Sequence, residues 1–167
     1  MNDSENAERT IIEAFTDLMC ERAFSKISVV DICQKCLINR KSFYYHFKDK
    51  YDLINCKFDL EFPIPDNENH SFDRLLLKMF CYFHKDRIYY RKVFMIEGQN
   101  SFTDHLQEVL CNYIISNTNC KNKFRADFFA GAITFATKEW LQENKGLSPC
   151  DFHRQLGSCI NSSIKFN

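Results

Sequence analysis

Apolar side chains recur along this chain at spacings of three and four, and short polar stretches separate the runs. Ile11, Phe15 and Leu18, widened by Ile12 and Met19, form one stripe of an amphipathic helix predicted over residues 4–22. Residues 23–27 are a short connector. Ser28 can cap the next helix, with Asp31 three positions on completing a variant capping box. Val29, Ile32, Cys33 and Cys36 supply its buried face, and Leu37-Ile38 makes a tight turn. Asn39 is an N-cap for a third helix over 40–47. There Phe43 and Phe47, one turn apart, must point inward. Lys41, Tyr44, Tyr45 and Lys48 then face outward, flanked by Ser42 and His46. Asp49 caps a fourth helix to about residue 62, and Asp52 favours the positive end of its dipole.

Pro63-Ile64-Pro65 stops that helix, and the polar run 66–70 reads as a linker. Beyond it the pattern predicts helices over 72–85, 86–96, 101–116 (capped by Ser101 with Asp104), 123–144 and 150–163. The loop 117–122 is polar, Gly146 closes the long helix, and Ser148-Pro149 opens the last one with a cap and a proline at the first helical position. No internal repeat is visible, and the expected class is all-α.

Composition agrees. Hydrophobic residues make up 45% of the chain and charged residues 26%, with seventeen Phe and seven Tyr but only four Gly and three Pro. The net charge is zero, yet residues 32–50 carry five cations (Lys35, Arg40, Lys41, Lys48, Lys50) against Asp49 alone. Residues 1–27 carry six carboxylates against three cations. A local basic patch on a neutral protein suits a polyanion met at one face. No run is long and apolar enough to span a membrane, and the acidic start does not fit a secretory signal. The expected location is the cytoplasm, with no membrane partner. There the nine scattered cysteines are expected as buried thiols rather than disulfides.

Two short helices joined by about three residues are the geometry of a helix-turn-helix, and a major groove admits one α-helix. The second of these helices shows suitable chemistry. Arg40 and Lys41 can meet guanine edges or phosphates, Ser42 and Tyr44 offer hydroxyls, and Tyr45 and His46 can touch bases or sugars. Lys50 can reach a phosphate, and the amides at the starts of the second and fourth helices are ready for anions.

The run Phe43-Tyr44-Tyr45-His46-Phe47-Lys48-Asp49-Lys50, followed by Leu53, resembles the signature of the TetR family, and the likeness extends over residues 9–56. It implies a helix-turn-helix DNA-binding domain over 1–50, with a recognition helix at 40–47 and contacts from Ser28, Arg40, Lys41, Ser42, Tyr44, Tyr45, His46 and Lys50. It also implies a helical ligand-binding and dimerisation domain over 51–167 that pairs through its last two long helices. Two residues depart from the family pattern. Leu37 stands where glycine is usual, costing roughly 1–2 kcal/mol if the backbone there is left-handed. Lys41 stands where a small residue is usual. In the second half, Tyr89-Tyr90-Arg91-Lys92-Val93 and Phe128-Phe129-Ala130-Gly131-Ala132-Ile133 look like the subgroup that includes dihydroxyacetone-kinase regulators, whose members can act as activators.

The small residues of the long helix allow close approach, so the expected dimer interface is Phe128, Ala132, Phe135, Trp140, Phe152 and Leu156. An effector pocket is expected among Phe80, Phe83, Tyr89, Tyr90, Phe94 and Phe102, with a packed core as the alternative. Cys33-x-x-Cys36 has no second ligand pair, and His84, Asp104 and His105 form no catalytic motif, so neither metal, cofactor nor enzyme activity is expected. The functional expectation is a homodimer on a near-palindromic operator, repressing and modulated by a small-molecule effector. The alternative is an activator, or an interaction module controlled by a coregulator protein.

Overall fold

A computed structural model describes residues 3–64, 71–98, 100–143 and 146–163. The described elements are α1 (Asp3–Glu21), a 3₁₀ turn (Phe24–Lys26), α2 (Val29–Lys35), α3 (Arg40–His46), α4 (Lys50–Glu61), α5 (Phe72–Lys85), α6 (Arg87–Val93), α7 (Phe102–Asn117), α8 (Lys123–Gln142) and α9 (Pro149–Ser163). Among the described residues there is no strand, and no helix is long and apolar enough to cross a membrane.

The helix starts follow from side-chain oxygens that accept otherwise orphaned amides. The Ser28 hydroxyl accepts from the Asp31 amide at 3.2 Å, and the Asp31 carboxylate accepts from the Ser28 amide at 2.7 Å. Asn39 accepts from the Ser42 amide at 2.8 Å, and Asp49 accepts from those of Tyr51 and Asp52. Ser101 and Ser148 do the same for Asp104 and Asp151.

Two ends differ from the periodicity reading. α6 stops at Val93 rather than 96, because the amides of Met95 and Ile96 tighten onto the carbonyls of Lys92 and Val93. α8 stops at Gln142, with Glu143 already extended. Gly146 therefore does not cap it. A Cβ at Gly146 would lie 2.7 Å from the Arg87 guanidinium, so the missing side chain makes room for that group. Arg87 in turn donates to the carbonyls of Trp140, Leu141 and Glu143, closing the C-terminal end of α8. The expected linker at 66–70 lies outside the described residues.

The core is continuous through α4. Leu53 and Ile54 pack with Ile11, Phe15, Ile32, Phe43 and Phe47 of the first three helices. Phe58, one turn further on, stacks on Phe83 at 5.8 Å and meets Phe102 edge-on at 5.4 Å. α7 and α8 run against one another through Leu106, Leu110 and Ile114 on one side and Ala126, Ala130 and Ile133 on the other. Truncating a ring such as Phe58 would cost about 3–5 kcal/mol.

Candidate nucleic-acid interface

α2 and α3 pack as a tight helix pair over α1. The turn between them is set by how α2 ends. The Ile38 amide donates to the Cys33 carbonyl at 3.0 Å, and the Leu37 amide reaches back to Gln34. This closure places Leu37 at φ 56, in the left-handed region that glycine usually occupies. Leu37 is 93% exposed, so no packing offsets the strain. The turn keeps its usual shape and bears the cost of a branched residue there.

Within α3, Phe43 and Phe47 are buried with their rings 5.8 Å apart. That fixes the helix's rotation about its axis and leaves Arg40, Lys41, Tyr44 and Tyr45 exposed, with Lys48 just beyond the C-terminal end. Tyr45 is 80% exposed, while Tyr44 is half covered. The Tyr44 ring rests edge-on against Phe43 at 5.4 Å and lies 5.9 Å from the Arg40 guanidinium. Seven residues make a helix about 10 Å long, which fits a major groove about 12 Å wide.

The other four residues of the expected contact set are engaged within the fold. The Ser28 hydroxyl donates to Asp31 at 2.6 Å, beside a carboxylate that also pairs with Arg22 and would repel phosphate. These hydrogen bonds and the guanidinium hold the Asp31 carboxyl below its ordinary pKa. Ser42 donates to the Asn39 oxygen at 3.2 Å. His46 is nearly enclosed, with Nδ1 3.2 Å from a Glu8 oxygen on α1. Lys50 points away from α3, its ammonium donating to the carbonyls of Phe24 and Ile27. The physical reason is tertiary: packing brings the carbonyls at the 3₁₀ turn beside the start of α4, and Lys50 is the cation within reach.

The thiols of Cys33 and Cys36 are raised in pKa by burial, and Cys36 donates to the Ile32 carbonyl at 3.0 Å. Among the described residues no cluster of side chains has the spacing of a metal site. His105 pairs with Asp59 of α4 at 2.8 Å, and His84 stacks on Trp140.

Two expectations for the second half need correction. Phe80, Phe83, Tyr89, Tyr90, Phe94 and Phe102 are all essentially inaccessible and pack on one another or on neighbouring rings. They fill the core instead of lining a space, because ring faces and edges meet at 4.7–6.0 Å. Trp140 and Phe152 do not face outward either. They stack within one chain, 4.7 Å apart and within 3° of parallel, so the monomer core claims both. Phe128, Ala132 and Phe135 do lie exposed on α8, and Leu156 is half-buried against the core. Phe124, 82% exposed one turn before Phe128, extends the same stripe and was not anticipated.

The comparisons with known proteins agree with this architecture. Residues 11–55 match the family of bacterial regulatory proteins, tetR family, and residues 71–162 match a transcriptional regulator C-terminal region. The chain is 33% identical over 178 residues to the HTH-type dhaKLM operon transcriptional activator DhaS of Lactococcus lactis subsp. lactis (strain IL1403), covering 99% of this chain and 94% of that protein. A solved structure of the dihydroxyacetone kinase operon activator DhaS superposes with a TM-score of 0.69 at 25% identity, covering 95% of this chain and 96% of the other. A TetR transcriptional regulator from Streptococcus agalactiae 2603V shares the fold, with a TM-score of 0.68 at 17% identity over 95% of each chain. These relatives are described as transcription regulators. With a helix-turn-helix at its start and a matching regulator region over most of the remainder, the chain belongs to the TetR family of DNA-binding transcription regulators.

Proposed function

We propose that the protein acts in the cytoplasm as a homodimer on a near-palindromic operator, and that it activates transcription there. The observation that carries the dimer is the stripe on α8: Phe124, Phe128 and Phe135 are 82%, 63% and 66% exposed along one helix whose other side is buried. Three phenyl rings so displayed leave a large apolar area in water, and a second copy of the same helix would cover it. Ala132, small and exposed between them, lets two backbones come close. Such a dimer presents two α3 helices to successive major grooves roughly 34 Å apart.

Arg40, Lys41, Tyr44 and Tyr45 are the contact residues of this reading, with Lys48 added on its exposure. Activation is favoured over repression by the 33% identity, along nearly the whole chain, to a protein described as a transcriptional activator. The test is a promoter reporter with an operator selected from random duplex DNA. The parent protein should raise transcription and run as a dimer in sedimentation. Phe128→Glu with Phe135→Glu should give a folded monomer that binds the operator at least a hundredfold more weakly. A dimeric, operator-binding double variant rules out this interface, and a fall in transcription on adding the parent rules out activation.

A further inference from the structure

On α3, Tyr44 stands between a fixed ring and a mobile cation. Its ring meets that of Phe43 at right angles, centres 5.4 Å apart, and the Arg40 guanidinium lies over it at 5.9 Å. The four-residue spacing makes the second contact possible. Helical side chains lean toward the N-terminal end, so the ring at 44 covers the turn that carries residue 40. Phe43 is fully buried, so the ring it braces has little freedom to swing. Tyr45, the next residue, has no cation over its ring and rests against His46 instead.

Nothing else in the fold engages the guanidinium. Among the described residues the Arg40 side chain makes no hydrogen bond and no ion pair, and the Tyr44 hydroxyl makes no hydrogen bond. The Asn39 oxygen, one residue earlier, is taken by the Ser42 amide and hydroxyl. An arginine held by a carboxylate must give up that partner to read a base. Arg40 gives up nothing, because a guanidinium lying over a ring keeps its N–H donors. Guanine offers two acceptors, O6 and N7, that match the guanidinium fork. A side chain whose range is already narrowed loses less freedom when it makes that paired contact.

We infer that Tyr44 is a positioning residue for base reading: its ring holds the Arg40 guanidinium in the setting from which it bonds one guanine of the operator. The inference rests on the DNA-binding reading above. The ring carries the effect, and the Tyr44 hydroxyl takes no part in the choice of base.

The test measures Kd of the full chain for an operator selected from random duplex DNA and for all its single-base variants at one salt concentration. Arg40→Ala marks the position that Arg40 reads, where the preference for guanine should fall about fivefold or more. Tyr44→Leu and Tyr44→Gln remove the ring and leave Arg40 intact. Each should lower the preference at that same position about threefold or more and leave the other positions unchanged. Tyr44→Phe keeps the ring and should stay within twofold of the parent preference, whatever it does to overall affinity. Added to Arg40→Ala, Tyr44→Leu should change the preference no further. The preference is a ratio between two duplexes bound by the same protein, so a loss of folded protein cancels from it, and thermal transitions check each variant. The inference is overturned if Tyr44→Leu and Tyr44→Gln keep the parent preference or lose it evenly at all positions. It is overturned equally if Tyr44→Phe loses as much as they do, or if Arg40→Ala alters no position. A protein with a base preference indifferent to Tyr44 sinks this inference alone, whereas one that selects no operator sinks the DNA-binding reading.

Discussion

The Lys50 ammonium sits 4.0 Å from the centroid of the Phe24 ring and donates to the Phe24 and Ile27 carbonyls at 2.8 Å each. A cation in the contact stretch of a DNA-binding motif is thus spent holding the connector between α1 and α2. Desolvation lowers its pKa, as expected of an ammonium drawn toward the fold. Lys50→Met should therefore destabilise the protein by about 1–3 kcal/mol, since two carbonyls lose a charged donor. The slope of log Kd against log salt for operator binding should stay unchanged. A stable variant with a flattened slope would return Lys50 to the phosphate-contact set.

Lys41 and Arg40 should behave differently. Lys41 is exposed and makes no ion pair among the described residues. Lys41→Ala is expected to weaken binding to all duplexes alike and to reduce the salt slope by about one unit. Arg40→Ala should in addition relax base preference at one operator position, by roughly 1–3 kcal/mol. Mobility shifts on a set of single-base operator variants, at several salt concentrations, separate the two effects.

Leu37, at φ 56 and 93% exposed, is a strained residue with nothing to gain from packing. Leu37→Gly should stabilise the protein by about 1 kcal/mol, the relief of left-handed strain less the extra freedom of the unfolded chain. The thermal midpoint should rise by about 2–4 °C. A lower midpoint would mean that the Leu37 side chain makes a contact worth more than its strain.

The cysteines should divide by burial. Burial pushes the Cys56 thiol up to about 11, helped by the carboxylates of Asp52 and Asp59, and raises Cys33, Cys36 and Cys111 as well. A raised pKa leaves less thiolate at a given pH, and the thiolate is the nucleophile. Iodoacetamide at pH 8 should therefore label the exposed Cys20, Cys81 and Cys150 well before these four, as read by peptide mass spectrometry. Labelling of Cys56 should grow only as the pH approaches 11 or the protein unfolds. Early labelling of Cys56 at neutral pH would contradict the burial.

Much of this architecture was legible in the chain itself. The caps at Ser28, Asn39, Asp49, Ser101 and Ser148 act over three residues, so the sequence names donor and acceptor alike. The inward turn of Phe43 and Phe47 was equally readable, because helical period alone puts both on one side. Side chains whose partners are remote were not readable. Lys50 meets a carbonyl 26 residues earlier, and His46 meets a carboxylate 38 residues earlier. Trp140 and Phe152 have the periodicity of either an interface or a core, and only their mutual stacking shows which.

The amino-acid order by itself determined the helices, their capped beginnings and the side of α3 that faces out. These depend on neighbours within a turn or two, where spacing dictates contact. Tertiary structure alone decided which cations are spent inside the fold, that six aromatic rings are packed into the core, and that a cleft opens between α1 and α6. Those outcomes depend on pairs far apart along the chain, and the pattern of one helix carries no information about what another brings against it.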